Sequence, residues 1–473
     1  MPATRELRVR QGQVLLMVGT AKGLFLFAAN PARNKWDLGG PFMPGAPIYS
    51  VARDGRNGDR LFASVDNPFF GTTLRMSDDL GRTWSDGTTG VIKFPEDTGL
   101  SLKRIWQIVP AGKSNRLYAG VEPSSLFVSH DRGEHWELVR GLHDHPHRAK
   151  WQPGAGGMCL HTILPHPTDP AQIVVAMSTG GVYRTRDGGA TWEARNVGVR
   201  AEFMPDKYPE FGQCVHKVAR HPSRPDTLFL QNHWGLYRSD DGGDSWQDIA
   251  NGVPSDFGFC MAVHPHDPEV VYIVPLEADM YRCTPEGKMR VYRTLDGGKH
   301  WEPLTNGLPQ KNAHETVLRD ALCVDALNPA GVYFGTRSGK VYASSDGGAS
   351  WHLVIDGLPA VQCVKAYYIG DPAKARIPHA RGARSARRVA KSGAPKVGAH
   401  ARPGRAKPKA AAPNRKPAAK KAAKKAAKKA AKKAAKKTAK QPVRKKSLSE
   451  RAARSKTAAR GKTAPRKSTA RGR

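Results

Sequence analysis

The sequence predicts an all-β protein, a seven-bladed β-propeller closed by pairing its first and last strands, followed by a disordered basic tail. Three observations predict it. An eight-residue pattern ending in tryptophan is written six times, and the text between copies divides into short β-rich runs. The two ends of the same region also hold complementary fragments of one further unit.

The six copies are "LRMSDDLGRTWSD", "FVSHDRGEHWELV", "YRTRDGGATWEAR", "YRSDDGGDSWQDI", "YRTLDGGKHWEPL" and "YASSDGGASWHLV". They end on Trp84, Trp136, Trp192, Trp246, Trp301 and Trp351, at spacings of 52, 56, 54, 55 and 50 residues. That period suits the blades of a propeller. Within one period, "CVHKVARHP", "TLFLQNHW", "GLYRSDDGG" and "DSWQDIANGVP" are each bounded by Gly, Pro, Asp or Asn. They read as four antiparallel strands, A to D, counted outward from the axis. Each copy falls at the C–D hairpin. There Asp79, Asp131, Asp187, Asp241, Asp296 and Asp346 can accept bonds from turn amides, while glycine takes the backbone angle that other residues resist.

Six copies do not limit the ring to six blades. "QVLLMVGT", "GLFLFAAN" and "KWDLGGPF" read as strands B, C and D with no strand A before them, and "AVQCVKAYYI" reads as a strand A with nothing after it. Trp36 stands 48 residues before Trp84, where a repeat tryptophan belongs. Joining the ends supplies the seventh blade and removes an exposed sheet edge.

The pattern S/T-x-D-x-G-x-x-W resembles the Asp-box, or BNR repeat, of sialidases, sortilin-type receptors, xyloglucanase-type glycoside hydrolases and photosystem II assembly factors. Text such as "GGVYRTRDGGATW" is more similar to the last three groups than to sialidases. The F/Y-R-I-P segment of sialidases is missing, its nearest counterpart being "LKRIWQIVP" at 102–110. The resemblance spans about residues 13–370 and implies a fold rather than an activity. It makes the six aspartates and tryptophans turn locks, because identical turns around a ring cannot converge on one substrate.

The A–B turns share the face of the repeat turns. Three of them begin His-Pro, so His166, His221 and His264 read as turn residues. The other face carries the individual text: D–A loops at 143–157, 199–212 and 308–320, and a B–C loop at 275–289. Irregular loops on a rigid frame are where binding concentrates. A glycosidase there needs two carboxylates about 5–9.5 Å apart. The candidate carboxylates are Glu122, Glu202, Asp206, Glu210, Glu277, Asp279, Glu315 and Asp320, most of which read as solvated or paired loop acids; the weak catalytic candidates kept are Glu122, Glu277 and Asp320 with Arg104 and Arg319. The binding-face candidates are Trp106, His161, His216, Lys217, Trp234 and Arg337.

No cofactor and no metal is expected. His161, His216, Cys260 and Cys323 align near the axis but lie on four adjacent blades, too spread to meet one ion at about 2.3 Å. The "HDHPH" stretch at 143–147 reads as an exposed loop. The six cysteines, with no C-x-x-C, read as reduced thiols.

Charge divides the chain. Residues 371–473 hold 37 Lys and Arg against two acids, Asp371 and Glu450, which accounts for the whole formal charge of +35; the 39 basic and 39 acidic residues before them cancel. The organisation expected is an extension at 1–12, the propeller at 13–370 and a tail at 371–473. The tail's "AAKKAAKK" run, with Lys420, Lys421, Lys424, Lys425, Lys428, Lys429, Lys432 and Lys433, resembles lysine-rich linker-histone tails. It reads as disordered when free and as a nucleic-acid binder without sequence preference, its affinity falling with salt by about 0.9 log units per phosphate neutralised. No apolar anchor or membrane span is read, nor a signal peptide, so the expected location is cytoplasmic, associated with the nucleoid through the tail. The function expected is a monomeric binding or scaffold module, taking a protein or glycan on its loop face and tethered to nucleic acid. The alternative is a glycoside hydrolase, xyloglucanase-like or exo-sialidase-like, with its cleft on that face.

Overall fold

The computed structural model describes residues 5–67, 70–154 and 156–377. The tail lysines from Lys420 to Lys433 lie outside the described residues. Seven antiparallel sheets follow one another along the chain, and one of them closes the ring. In that sheet Val361–Tyr368 pairs with Val14–Thr20, which pairs with Gly23–Ala29 and then Asp37–Phe42. Val18 faces Val364 and Leu16 faces Ala366, so the first and last strands of the ring share one ladder as the sequence implies.

Strand Val14–Thr20 is buried along its whole length, matching its unbroken apolar text. The closing blade is also held by charge. Arg33, on the turn before Trp36, donates from Nη1 to Asp325 Oδ2 at 3.1 Å, and both side chains are almost fully buried. The same guanidinium donates to the Pro329 and Ser345 carbonyls of the sixth blade. Tyr333 donates to Asp325 Oδ2 at 2.7 Å, and Trp36 meets the Tyr333 ring edge-on at 5.8 Å.

Besides the closing blade, five blades have four strands, as the repeat text implies; the fourth runs Val215–Arg220, Leu228–Asn232, Leu236–Ser239 and Gln247–Asp248. The outermost strand is only two residues long there and in the two blades before it, which blunts an edge that could otherwise recruit another chain. The first blade departs from the expectation. It has only Val51–Asp54, Arg60–Asn67 and Gly71–Ser77. After Trp84 the text "SDGTTG" opens with the turn residues Ser85, Asp86 and Gly87, and a single backbone bond, from Ser85 N to Met76 O, stands where a fourth strand would run.

The apolar core is a series of layers between neighbouring blades. Trp246 of the fourth blade packs in one cluster with Val174 and Val182 of the third. Five of the repeat turns also donate backward to the A–B turn of their own blade, among them Gly188 N to Ala171 O, Gly242 N to Asp226 O and Gly297 N to Glu269 O. These short connections therefore share one face, and the long loops gather on the other.

Candidate functional site

The repeat aspartates are occupied by their own turns. Asp241 accepts from Ser239 Oγ at 2.7 Å and from the Ser245 amide at 3.0 Å, and the same pattern recurs at Asp79, Asp131, Asp187, Asp296 and Asp346. Partial burial would raise the Asp131, Asp241 and Asp296 carboxyls, but these donors outweigh it and bring each to about 2. Trp192 Nε1 closes its own turn on Gly189 O, while Trp246 and Trp301 donate to Arg195 O and Ile249 O of the preceding blade.

On the opposite face a cavity of about 620 Å³ opens at the mouth of the central channel. The D–A loops supply Gln152, Phe203, Phe211 and Arg319, and the B–C turns supply Thr179, Trp234, Asp279 and Arg282. Its floor is shaped by bulges. In three inner strands the ladder skips one residue: Trp106, His161 and His216. A bulged residue is left unpaired and its side chain is re-aimed. Trp106 and His216 line the cavity. His161 does not; it is fully buried, with Nε2 donating to Val215 O at 2.9 Å and Nδ1 3.0 Å from Thr162 Oγ1.

At the axis, Lys217 and Lys365 both donate to Asp320 Oδ1, at 2.7 and 3.3 Å. Burial alone would raise the Asp320 carboxyl, but the two ammonium charges bring it to about 2, so it stays ionised. Arg319 donates to His216 O and to Ser178 Oγ, and its guanidinium lies 5.3 Å from the Trp106 ring centre.

One wall is Tyr49 and Trp106, ring centres 5.5 Å apart, with Arg104 4.0 Å from the Tyr49 ring centre. Arg104 bonds Asp66 at 2.8 Å and Glu122 at 3.3 Å. Glu122 also accepts from Trp106 Nε1 at 3.3 Å, so it holds the wall from behind and opens on a smaller neighbouring groove. The facing wall is Phe203, Trp234 and His233, tilted against one another with centres 5.3 and 4.2 Å apart in turn.

The remaining candidates fall outside the cavity. Glu277 is exposed, its amide bonded to Cys283 O, and Arg337 reaches only as far as Gln362 Oε1 at 3.3 Å. Glu202 and Asp206 bond within their own loop, Glu210 lies 3.8 Å from His147 of the preceding D–A loop, and Glu315 is buried under Lys340 at 2.8 Å. Asp279, which the sequence reading left among the loop acids, is with Asp320 one of two carboxylates lining the cavity among the described residues.

The histidine stretch at 143–147 is packed. His147 stacks on Phe211 at 4.0 Å and His145 donates to Trp192 O. A different group comes together: Cys214, His216 and His233 place their ligand atoms within 4.8 Å of one another. Sequence reasoning missed it by following strand depth from blade to blade. The available signal was Cys-x-His at alternate positions of one strand, which share a face.

No family model matches the chain. It is 28% identical over 273 residues, half of this chain and 33% of the relative, to the oligoxyloglucan-reducing end-specific xyloglucanase of Emericella nidulans. A probable enzyme of the same name from Neosartorya fischeri is 25% identical over 238 residues, 41% of this chain and 27% of the relative. The chain thus spans a third or less of the length of these curated relatives. Among solved structures, a GH74 enzyme from Niastella koreensis matches 78% of this chain and 54% of its own at 15% identity, with a TM-score of 0.48. The relatives named as xyloglucanases overturn the reading of the propeller as a scaffold tethered to nucleic acid and favour its alternative.

Proposed function

We propose that this chain is a glycoside hydrolase whose cleft is the cavity on the loop face. The observation that carries this reading is the pair of carboxylates, Asp279 and Asp320, between walls of aromatic rings, in a chain similar to proteins named as xyloglucanases. Concave sites of this size, apolar with a few convergent polar groups, suit a small ligand. Trp106, Tyr49, Trp234 and Phe203 present flat apolar faces to sugar rings, and Gln152, Gln362 and Arg319 can bond their hydroxyls.

Glycoside cleavage needs one carboxyl to protonate the leaving oxygen and one carboxylate to meet the positive charge growing on the sugar. Asp320, kept ionised by Lys217 and Lys365, suits the second role. Asp279, exposed on the rim, lies 3.4 Å from His233 Nε2 and takes the first. Incubating the full chain with xyloglucan oligosaccharides and a panel of aryl glycosides tests the reading. New reducing ends or released phenol are expected; binding with no turnover on any substrate would contradict it.

A further inference from the structure

Cys214 and His216 flank Val215 at the start of the fourth blade's inner strand, and His233 lies on the next B–C turn. The His233 amide donates to Cys214 O at 3.0 Å, which ties the turn to the strand and brings the three side chains together. All three line the cavity.

We propose that Cys214, His216 and His233 form a site for a borderline or soft transition-metal ion, with zinc as the reference case and an open coordination position toward the cavity. Four observations support it. Cys214 Sγ and His216 Nε2 are 3.7 Å apart. Sulfur and nitrogen on a tetrahedral zinc, at about 2.3 and 2.0 Å from the ion, are separated by about 3.6 Å. His216 Nδ1 donates to Gly258 O at 2.6 Å, and because a carbonyl only accepts, the other ring nitrogen is left with its lone pair toward the thiol. Metal-binding histidines are oriented by such outer bonds. Asp279 lies 3.4 Å from His233 Nε2 and can orient that ring in the same way. Finally, the donors are a thiol and two imidazoles, the set that selects zinc or copper(I) over magnesium or calcium.

The site lies near two guanidiniums, Arg282 and Arg319, neither of which pairs with a carboxylate among the described residues. Their repulsion of a dication is offset by the Cys214 thiolate, formed as the thiol proton leaves on binding, and by Asp279. Three protein ligands with the fourth position open is the arrangement of a reactive rather than a purely structural zinc site. Nothing in this inference depends on glycoside cleavage.

Cobalt(II) titration of the full, reduced chain tests it, because cobalt bound to a thiolate gives a near-ultraviolet charge-transfer band. The expected result is a band saturating at one equivalent, removed by zinc, lost in Cys214→Ser and kept in Cys159→Ser. His233→Gln, on the cavity wall, should weaken zinc binding at least tenfold and serves if Cys214→Ser fails to fold. The proposal is overturned if no band forms, or if the band survives Cys214→Ser with the fold intact. Unchanged zinc affinity in His233→Gln would overturn it equally.

Discussion

Lys217 Nζ and Asp320 Oδ1 lie 2.7 Å apart, although 103 residues separate them in the chain. One comes from the inner strand of the fourth blade and the other from the loop entering the sixth, so their meeting fixes two non-neighbouring blades at the axis. Both side chains are over nine-tenths buried. Asp320→Asn would leave Lys217 and Lys365 without a counter-charge, and removing one partner of a buried pair costs about 3–5 kcal/mol. Urea denaturation should show that loss, whereas Asp320→Asn with unchanged stability would mean the lysines reach water.

Acid should unfold the propeller in a defined window. The folded carboxyls of Asp131, Asp241, Asp296 and Asp320 sit at about 2, below the ordinary value of 3.8. A depressed folded value stabilises above the unfolded pKa and loses that contribution as pH falls through the folded one. Stability followed by circular dichroism should therefore be flat with respect to these groups at neutral pH and fall steeply from about pH 4 toward pH 2.

Ring closure should depend on Arg33. Its guanidinium is buried against Asp325 and two carbonyls of the neighbouring blade, and Arg33→Met leaves the Asp325 carboxylate buried with Tyr333 and backbone amides alone. A loss of about 3 kcal/mol or more is expected by thermal or urea unfolding. A change below about 0.5 kcal/mol, the range of ordinary surface substitutions, would contradict the role given to this pair.

The two aromatic walls should act on binding more than on folding. Trp234 is half-buried and lies tilted against Phe203, itself 49% exposed. Trp234→Ala should weaken oligosaccharide binding by on the order of 1 kcal/mol, several-fold, with little change in melting temperature. An equal affinity in calorimetry would place the sugar elsewhere.

The ring was legible because its marks are local. The repeat aspartate bonds residues two before and four after itself, and the closing strands kept their apolar text at both ends of the repeat region. The first blade's missing outer strand was harder to read, since the repeat turn survives there while the segment after Trp84 forms no strand. The cavity was legible only as a face. Which side chains enter it depends on bulges at Trp106, His161 and His216, and one bulged residue can turn inward to the cavity or into the core with no change in the text. Asp279 and His233 come from turns of adjacent blades, and their approach follows from blade packing that no spacing in the chain records.

The most direct measurement is the turnover of xyloglucan oligosaccharides by Asp279→Asn beside the unaltered chain. Asp279 is exposed enough that its amide should leave the melting temperature unchanged, so a loss of rate reports on chemistry. Removal of a proton donor at the reacting bond should lower kcat by about 100-fold or more, with the fold intact. Equal rates for the two proteins would contradict the assignment of the loop-face cavity as a glycosidase site.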